Sequence, residues 1–394
     1  MPLGEEITKR QHLVVLALVL LAHAVEHTYG AIMPVLFPSI MEEFNLNYAQ
    51  IGLLASSYLF TLSFLQLFAG FLSKRFLRKV LIGIGMIWVG LTTFASGLAR
   101  GFQELVSART MSGVGSSVYH PLSGSFLTDQ FGRSSRGRIM GLHLAVGNIG
   151  STIAPILAGF TVLIVGWRST LQVFAAPGIA AGLLFLLFVR EKRSSTVAGL
   201  SSRRSLVAAL RRRETLMLIV VETLLSFRSS GVAAFLPGYL KSTVGFPVAI
   251  AATFFSVMYA GSIPGPIALG YLSDRIGRRR VAFFANTLSA FAVWLLAIAR
   301  LSEVILVDLI ILGIVAYSAP AIIQAFLGDV VDPPLRDSAF SLFFAISMTL
   351  GYSLAPAVLG IVIDKLGFQY TYGLLGAISL LAGLLVLPVK EGAN

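Results

Sequence analysis

The sequence predicts an all-α polytopic membrane protein with twelve transmembrane helices in two pseudo-symmetric halves of six. Three observations support this fold class. Hydrophobic residues make up 56% of the chain and charged residues only 12%, whereas about a quarter of a soluble domain is charged. Apolar runs such as 81–99 and 170–189 recur along the chain, and each has roughly the 20 residues that a helix needs to cross a bilayer. One long polar connection, residues 191–214, separates two sets of such runs.

The apolar segments, taken in chain order, give the twelve helices. The first runs from Leu13 to beyond Pro38, far past the length of a signal-peptide core, so we expect it to be retained as a helix. Residues 1–190 form the N-terminal half and residues 215–394 the C-terminal half. In the cytoplasmic linker between them, residues 205–213 are expected either as a short amphipathic helix on the membrane surface or as a solvated connection. The predicted helices lie near 12–40, 48–73, 79–99, 102–129, 136–165, 168–190, 215–243, 247–273, 279–300, 303–330, 335–364 and 368–389.

The net charge of +12 is interpreted as a topology signal. Of the 30 Lys and Arg residues, two lie within helices, and five fall outside if the N-terminus is inside. The other 23 lie on the cytoplasmic side, which follows the positive-inside rule and predicts a plasma-membrane protein with both termini in the cytoplasm. We therefore expect no nucleic-acid partner. The five outer residues are Arg100, Arg168, Lys241, Arg300 and Lys365.

The two halves repeat with an offset of about 200 residues. "GFLSKRFLRK" (70–79) returns as "GYLSDRIGRR" (270–279), and "GNIGSTIAPILAG" (147–159) returns as "MTLGYSLAPAVLG" (348–360). Asp129, at the end of helix 4, has its counterpart in Asp329, at the end of helix 10. Repeated halves with a binding site between them at mid-membrane are an architecture of secondary transporters.

At these residues the chain resembles the major facilitator superfamily over essentially its whole length. "GYLSDRIGRR" matches the superfamily signature between helices 8 and 9, and "RTMSGVG" (109–115) looks like the helix 4 motif of proton-driven drug exporters. More narrowly, "YAQIGLLASSYLFTLSFLQ" (48–66) and "GSSVYHP" (115–121) resemble exporters of the fosmidomycin-resistance type. The resemblance implies alternating access, with helix 5 carrying a small-residue packing motif and a proline matched in helix 11. The residues of that motif are Gly141, Gly150, Pro155, Gly159 and Pro356.

The signature residues imply a cytoplasmic gate, and the first copy departs from the pattern. Lys74 stands where the family has Asp, and Leu77 stands where it has Gly. We predict that Lys74 forms an ion pair with Asp337, or else with Asp332, at the start of helix 11; the alternative is that Lys74 is one more positive-inside charge. The predicted gate residues are Lys74, Arg75, Arg78, Asp129, Asp274, Arg275, Arg278, Asp329 and Asp337.

Ionisable side chains inside the apolar helices are the first functional candidates, because a charge at mid-bilayer costs ~2.5–3.5 kcal/mol even on the lenient insertion scale. His23, Glu26 and His27 share one arc of helix 1 as H-x-x-E-H. The same string is a zinc-protease pattern, but a catalytic zinc needs a third ligand. We therefore predict no metal and no cofactor, and assign Glu26 to proton coupling with Arg109 as its counter-charge. A permanent Glu26–Arg109 ion pair is the structural alternative, and zinc as transported cargo is a remote one.

The remaining deep polar side chains are predicted to line the substrate cavity. Arg228 would bind an anionic group, or alternatively pair with Glu222; His143 is expected to be structural. The predicted substrate-binding residues are His23, His27, His120, Glu222, Arg228, Gln66, Asn148, Tyr259 and Gln324.

Together these features predict a secondary active transporter that acts as a monomer and is not an enzyme. The expected mode is proton antiport that exports a small amphipathic or anionic organic compound. The alternatives are a proton-coupled importer of an organic anion and, remotely, an intramembrane zinc hydrolase that uses the HxxEH string.

Overall fold

The computed structural model describes residues 9–131, 135–191 and 203–391. In this part of the chain every regular element is helical. The first half contains α1 (Lys9–Phe44), α2 (Tyr48–Leu65), α3 (Ala69–Arg75), α4 (Arg78–Gly97), α5 (Phe102–Ser116), α6 (Tyr119–Gln130) and α7 (Arg136–Phe188). The second half contains α8 (Arg203–Leu210), α9 (Arg213–Tyr239), α10 (Val248–Gly261), α11 (Pro264–Ile276), α12 (Arg278–Ile298), α13 (Ser302–Val330), α14 (Arg336–Ile346) and α15 (Ala355–Val386).

Nine helical spans of the described residues are long and apolar enough to cross a membrane. Two of them, of 52 and 54 residues, are long enough to cross twice, and each is interrupted by one glycine with a positive φ: Gly166 (φ 74°) and Gly367 (φ 81°). Only glycine adopts such a conformation readily. These breaks lie where the sequence places the ends of helices 5 and 11, and with the pair α5–α6 the spans accommodate the twelve predicted crossings. The number twelve itself stays a prediction.

Four predicted helices are not continuous. The segment 48–73 is divided into α2 and α3 by a 3-10 turn, Gln66–Phe68, and the segment 102–129 is divided into α5 and α6. In the second half, 247–273 is divided into α10 and α11, and 335–364 into α14 and α15. Of the predicted linker, residues 192–202 lie outside the described part of the chain, whereas Arg203–Leu210 form α8. Its Ala209 is fully buried in a core that also contains residues of α9 and α14.

The helices define two faces of the molecule. We call the near face the one at which α1 begins and α15 ends, and the far face the one at which α1 ends and α2 begins. One core cluster joins both halves toward the far face, with residues such as Leu36 and Leu54 packed together with Leu236 and Leu359. Toward the near face each half has its own separate core cluster. The halves are therefore packed together at the far face and form separate cores at the near face.

Small residues allow the close approach of the halves at the far face. A Cβ on Gly360 would collide with the backbone of Tyr48 at the start of α2, and a Cβ on Gly159 would collide with the Ala252 side chain near the start of α10. Gly52 contacts the backbone of Pro356 in the same way. Two pseudo-symmetric helix contacts, α2 with α15 and α7 with α10, thus close this face.

Members of the predicted helix 5 motif differ in their surroundings. Gly150 packs against the backbone of Ala24 in α1, whereas Gly141 has open space where a Cβ would stand. The helix continues through Pro155. Before Pro356, in contrast, the backbone forms a π-turn over Ser347–Tyr352, and α15 begins anew at Ala355. The two matched prolines therefore lie in different backbone surroundings.

Candidate functional site

Four of the five histidines of the chain meet in one cluster between α1, α6 and α7. His23 stacks on His143 with ring centroids 3.7 Å apart, and it lies edge-on to His27 at 4.5 Å and to His120 at 5.4 Å. Glu26 is 4% exposed, and its Oε2 lies 3.0 Å from Nε2 of His120. We call His23, Glu26, His27, His120 and His143 the histidine cluster.

The local fold explains how these side chains meet. Residues three and four apart share one face of a helix, so His23, Glu26 and His27 project from α1 together. The break between α5 and α6 precedes Pro121 and places His120 in the first turn of α6, where proline is tolerated because its missing N–H has no helical acceptor. On α7, a Cβ at Gly147 would stand 2.6 Å from the His23 ring. Glycine at this position therefore leaves room for the imidazole.

Hydrogen bonds fix the imidazole orientations. Nδ1 of His23 donates to the main-chain oxygen of His143 over 2.7 Å, since a carbonyl oxygen can only accept. Nδ1 of His27 lies 3.0 Å from Oγ of Ser151. Both contacts run from α1 to α7, and both leave Nε2 unused. His143, expected to be structural, stacks on His23, and its Nε2 lies 3.5 Å from the hydroxyl of Tyr119.

Arg109 does not pair with Glu26 in this structure. Its guanidinium lies over the Tyr58 ring at 4.4 Å and donates from Nη2 to the main-chain oxygen of Tyr29 over 3.5 Å. Arg109 is 2% exposed, and its Nη1 has no hydrogen-bond partner among the described residues. The ion pair considered from the sequence is thus replaced by Glu26–His120. Sequence reasoning did not find this pairing, because His120 and Arg109 belong to the same predicted helix and the sequence does not show which of them faces Glu26.

The predicted residues of the second half are placed differently. Arg228 is fully buried and donates to Ser289 in α12 and, over 3.2 Å, to the main-chain oxygen of Ala316 in α13. Its hydrogen bonds are therefore made within its own half, which departs from the expected orientation toward a substrate. Glu222 is likewise buried, and its Oε2 has no hydrogen-bond partner among the described residues.

Other candidates are closer to the boundary between the halves. Asn148 donates from Nδ2 to the main-chain oxygen of Ser262 across that boundary, over 3.3 Å. The Tyr259 ring lies 5.5 Å from the Tyr317 ring. Gln66 and Gln324 are half-buried in the 3-10 turn after α2 and in α13. For all of these residues a role in substrate binding stays a prediction.

Sequence reasoning missed two groups. Tyr58, inside a motif quoted above, also contacts Ser116 through its hydroxyl at 2.9 Å. Asp308 in α13 is 2% exposed, and its Oδ2 has no hydrogen-bond partner among the described residues. The polar character of Asp308 was a visible signal, but its position two turns into helix 10 made it resemble a helix-end residue.

The predicted near-face residues form two equivalent ion-pair networks, one in each half. Arg78 pairs with Asp129 at 2.8 Å and with Glu191 at 2.7 Å. Arg278 pairs with Asp329 at 2.9 Å and with Asp274 at 2.6 Å. The sequence predicted these residues as a gate, but their ion pairs lie within one half.

Two glutamates complete the near-face networks and were missed, because each follows the last helix of its half. Glu191 accepts the Lys79 main-chain N–H over 2.8 Å, and Glu391 accepts the Arg279 main-chain N–H over 2.9 Å. Each carboxylate thereby caps the start of a helix, α4 or α12, where free N–H groups and the helix dipole favour negative charge. The two acids are 200 positions apart and extend the repeat.

The two copies of the signature differ in local structure. Gly277 has a φ of 101° and lies against Glu391, whereas Leu77 has an ordinary φ of −62°. The Lys74 ammonium lies over the Phe71 ring at 5.5 Å, and Arg275 lies over Tyr271 at 4.3 Å.

The proposed partners of Lys74 lie at the start of helix 11. Asp337 is in the first turn of α14, and Asp332 is paired with Arg212 of its own half. The Lys74–Asp337 pair stays a prediction.

At the far face, by contrast, polar contacts cross between the halves. Glu42 at the end of α1 pairs with Lys241 of the second half. Asp364 of the second half accepts the main-chain N–H groups of Tyr48 (2.9 Å) and Ala49 (2.8 Å) at the start of α2. A cavity of about 270 Å³ lies beside these contacts and is lined by residues of α1, α2 and α9 such as Phe37.

A comparison with known protein families identifies the family to which the chain belongs. The family model described as "Major Facilitator Superfamily" matches residues 18–268 and 218–394. The chain belongs to the major facilitator superfamily. It is therefore a multi-pass membrane transporter of small molecules, and the family is not one of enzymes.

Individual members of the superfamily are similar to the chain over most of its length. The cis,cis-muconate transport protein of Acinetobacter baylyi is 24% identical over 369 residues, covering 90% of this chain and 88% of that protein. The fosmidomycin resistance protein of Escherichia coli is 23% identical over 396 residues, covering 96% and 93%. The predicted resemblance to the fosmidomycin-resistance type is confirmed at this level.

Solved superfamily structures confirm the fold. A bacterial homolog of the human lysosomal transporter Spinster, in an inward-facing and unoccupied conformation, superimposes with a TM-score of 0.81. The match covers 98% of this chain and 100% of that one at 18% identity. The major facilitator fold predicted from the repeats is therefore confirmed.

Proposed function

We propose that this protein is a proton-coupled antiporter that exports a small amphipathic or anionic organic compound by alternating access. The observation that carries the proposal is the difference between the two faces: the far face is closed by contacts across the halves, whereas the near-face networks hold each half together separately. A carrier with one face closed across its halves, and with separate cores at the other face, is in one of the two end states that alternating access requires. We place the near face in the cytoplasm, in agreement with the positive-inside distribution, so this state is inward-facing.

The histidine cluster supports Glu26 as the group that exchanges protons. A carboxyl group within the membrane-spanning part of a carrier is a proton-relay candidate by default. Here its partner His120 belongs to another helix and has a side chain that is 38% exposed, so water can reach the pair from one side. Proton exchange at Glu26 then changes the charge at the centre of the first half, where Arg109 supplies a buried positive charge. We assign Arg109 to modulating Glu26 and expect the monomer to be the functional unit.

The relatives support an organic cargo, since their names refer to muconate transport and to fosmidomycin resistance. They also keep a second candidate function, a proton-coupled importer of an organic anion. Several relatives named as transporters of organic acids favour it, including a hexuronate transporter of Bacillus subtilis. Arg228 would be its anion site, although the guanidinium is hydrogen-bonded within the second half.

The direction of the driving gradient separates the two functions. A thermal-shift screen of drugs and organic anions, with fosmidomycin and cis,cis-muconate included, first selects a ligand; at a hundredfold excess over Kd it adds about 2.7 kcal/mol of stability. Uptake of that ligand into proteoliposomes is then measured under imposed pH gradients. Antiport requires uptake with the acidic side inside, because protons leave as the ligand enters. Uptake that is driven by an acidic outside would instead indicate the proton-coupled importer.

Glu26→Gln tests the coupling residue in the same assay. We expect it to abolish gradient-driven uptake while ligand exchange at equal pH persists in part, since the amide has the shape of the protonated acid. Glu104→Gln is a matched control, because Glu104 only accepts the Arg100 main-chain N–H within the first half. Wild-type gradient-driven uptake by Glu26→Gln would remove Glu26 from the mechanism.

A further inference from the structure

We infer that His23, His27 and His120 form a binding site for a divalent transition-metal ion of the Zn²⁺ class. The inference goes beyond the proposed transport of an organic compound. It also departs from the sequence argument, which predicted no metal because a third ligand for the HxxEH string was lacking. The fold supplies that ligand from α6.

The geometry brings three nitrogen ligands together. The ligand atoms of the three imidazoles all lie within 4.8 Å of one another. Zinc binds histidine nitrogen at 2.0–2.1 Å, so nitrogens around a tetrahedral ion stand about 3.3 Å apart. A bound ion would therefore draw these atoms together by up to about 1.5 Å. Three histidines with an open fourth position are a known zinc coordination.

The hydrogen bonds around the cluster orient the ligands for a metal. Metal-binding histidines nearly always donate their second ring N–H to a carbonyl, carboxylate or comparable group, which fixes the ring and the tautomer. His23 donates from Nδ1 to a main-chain oxygen, and His27 has Nδ1 at Ser151. Both residues therefore have Nε2 as the atom left for an ion.

Charge and access also fit a cation. The carboxylate of Glu26 lies 3.0 Å from His120 Nε2 and supplies negative charge beside three neutral ligands, which lowers the cost of placing an ion in a poorly hydrated site. His23 is 1% exposed, but the His120 side chain is 38% exposed, so an ion can enter past His120. All three ligands belong to the first half, so a bound ion leaves the halves free to move. It takes the place of the Glu26–His120 contact.

Metal binding to detergent-purified protein tests the site independently of transport. The affinity tag must contain no histidine. With no cysteine in the chain, imidazole and carboxylate groups are the only strong transition-metal ligands. We expect the wild type to retain one Zn²⁺ per chain after dialysis, and to give the intense visible absorption of tetrahedral Co²⁺ when Co²⁺ is added instead.

Variants separate ligation from fold. His120→Gln and His27→Gln should abolish stoichiometric binding, whereas His12→Gln, outside the cluster, should keep it. Ser151→Ala removes the partner that orients His27 without removing a ligand, and such losses weaken metal affinity about 10- to 100-fold. Gel filtration shows whether each variant is folded.

Two results would overturn the site. One is wild-type protein without bound Zn²⁺ and without the tetrahedral Co²⁺ spectrum. The other is binding that His12→Gln removes as fully as His120→Gln. Because both readouts are made at equilibrium without a substrate, failure of the proposed antiport would leave them unchanged.

Discussion

Asp364 is expected to hold the far face closed by capping a helix of the other half. The first N–H groups of a helix have no helical acceptor. In α2 the side chains of the capping box satisfy the N–H groups of Asn47 and Gln50. Asp364 satisfies those of Tyr48 and Ala49, over 2.9 and 2.8 Å. The start of α2 is thus fully hydrogen-bonded only while the halves are together at this face.

The size of the effect follows from these two bonds. A hydrogen bond contributes about 0.5–1.5 kcal/mol net, and a negative charge at an exposed helix start adds about 0.3–1 kcal/mol. Because Asp364 is exposed and water can replace it when the face opens, we take the total as about 2 kcal/mol, which is roughly a 30-fold change in an equilibrium constant. Asp364→Ala should therefore shift the ratio of closed to open far face by about that factor. Asp364→Asn, which keeps one acceptor oxygen, should shift it less.

Spin-label distances measure this equilibrium directly. The chain has no cysteine, so labels can be placed at Leu98 and Leu301 on exposed far-face loops without removing native thiols. We expect the long-distance population to increase in the order wild type, Asp364→Asn, Asp364→Ala. Glu104→Gln removes a carboxylate that accepts a main-chain N–H of a loop within one half, and it should change nothing. Equal distributions in wild type and Asp364→Ala, or an equal shift in Glu104→Gln, would refute the cap as a closing contact.

Two further predictions concern buried and near-face charges. Arg228→Lys keeps the charge but loses the two hydrogen bonds to Ser289 and Ala316, so we expect a loss of about 1–3 kcal/mol of stability with unchanged ligand affinity. Thermal shift with and without ligand measures both quantities. Weaker ligand affinity at unchanged stability would instead assign Arg228 to the substrate site. Lys74→Glu should favour the inward-open state by up to about 1 kcal/mol, the upper value for an exposed pair, and adding Asp337→Lys should reverse the shift. If near-face spin-label distances show no such reversal, Lys74 is only one more positive-inside charge.

The elements predicted best from the sequence are those fixed by local physics. Apolar runs of bilayer length gave the helices, and Gly166 and Gly367 lie in the gaps predicted between consecutive helices. The break within 48–73 was not predicted, because hydrophobicity is continuous across it, whereas His120 before Pro121 is a local signal of a break within 102–129. Close helix packing accompanies the second break, since a Cβ on Gly113 would collide with the Tyr58 backbone.

The functional site could be predicted only in part. The spacing of His23, Glu26 and His27 shows that they share a helix face, and this is visible in the sequence. The sequence does not show which residue pairs with Glu26, since His120 and Arg109 were both candidates from the same predicted helix. A break of two residues between α5 and α6 decides which side chain reaches Glu26, and nothing local to the sequence fixes its rotation.

The near-face networks follow the repeat of the chain closely. Arg78 and Arg278 are 200 positions apart, as are Glu191 and Glu391, and they make equivalent contacts at the near face. Equivalent networks suit two halves that move as similar rigid bodies. The buried charges do not repeat in this way.

In the first half the buried acid is on helix 1 and the buried arginine on helix 4, as Glu26 and Arg109. In the second half, helix 7 carries both Glu222 and Arg228, and helix 10 carries Asp308; all five side chains are 4% exposed or less. The halves therefore agree in the buried acid of helices 1 and 7, and they differ in having an arginine on helix 4 but an acid on helix 10. A symmetric pair of sites would present the same chemistry from both sides of the cavity. The histidine cluster lies in the first half only, so the proton exchange proposed at Glu26 has no matching cluster in the second half.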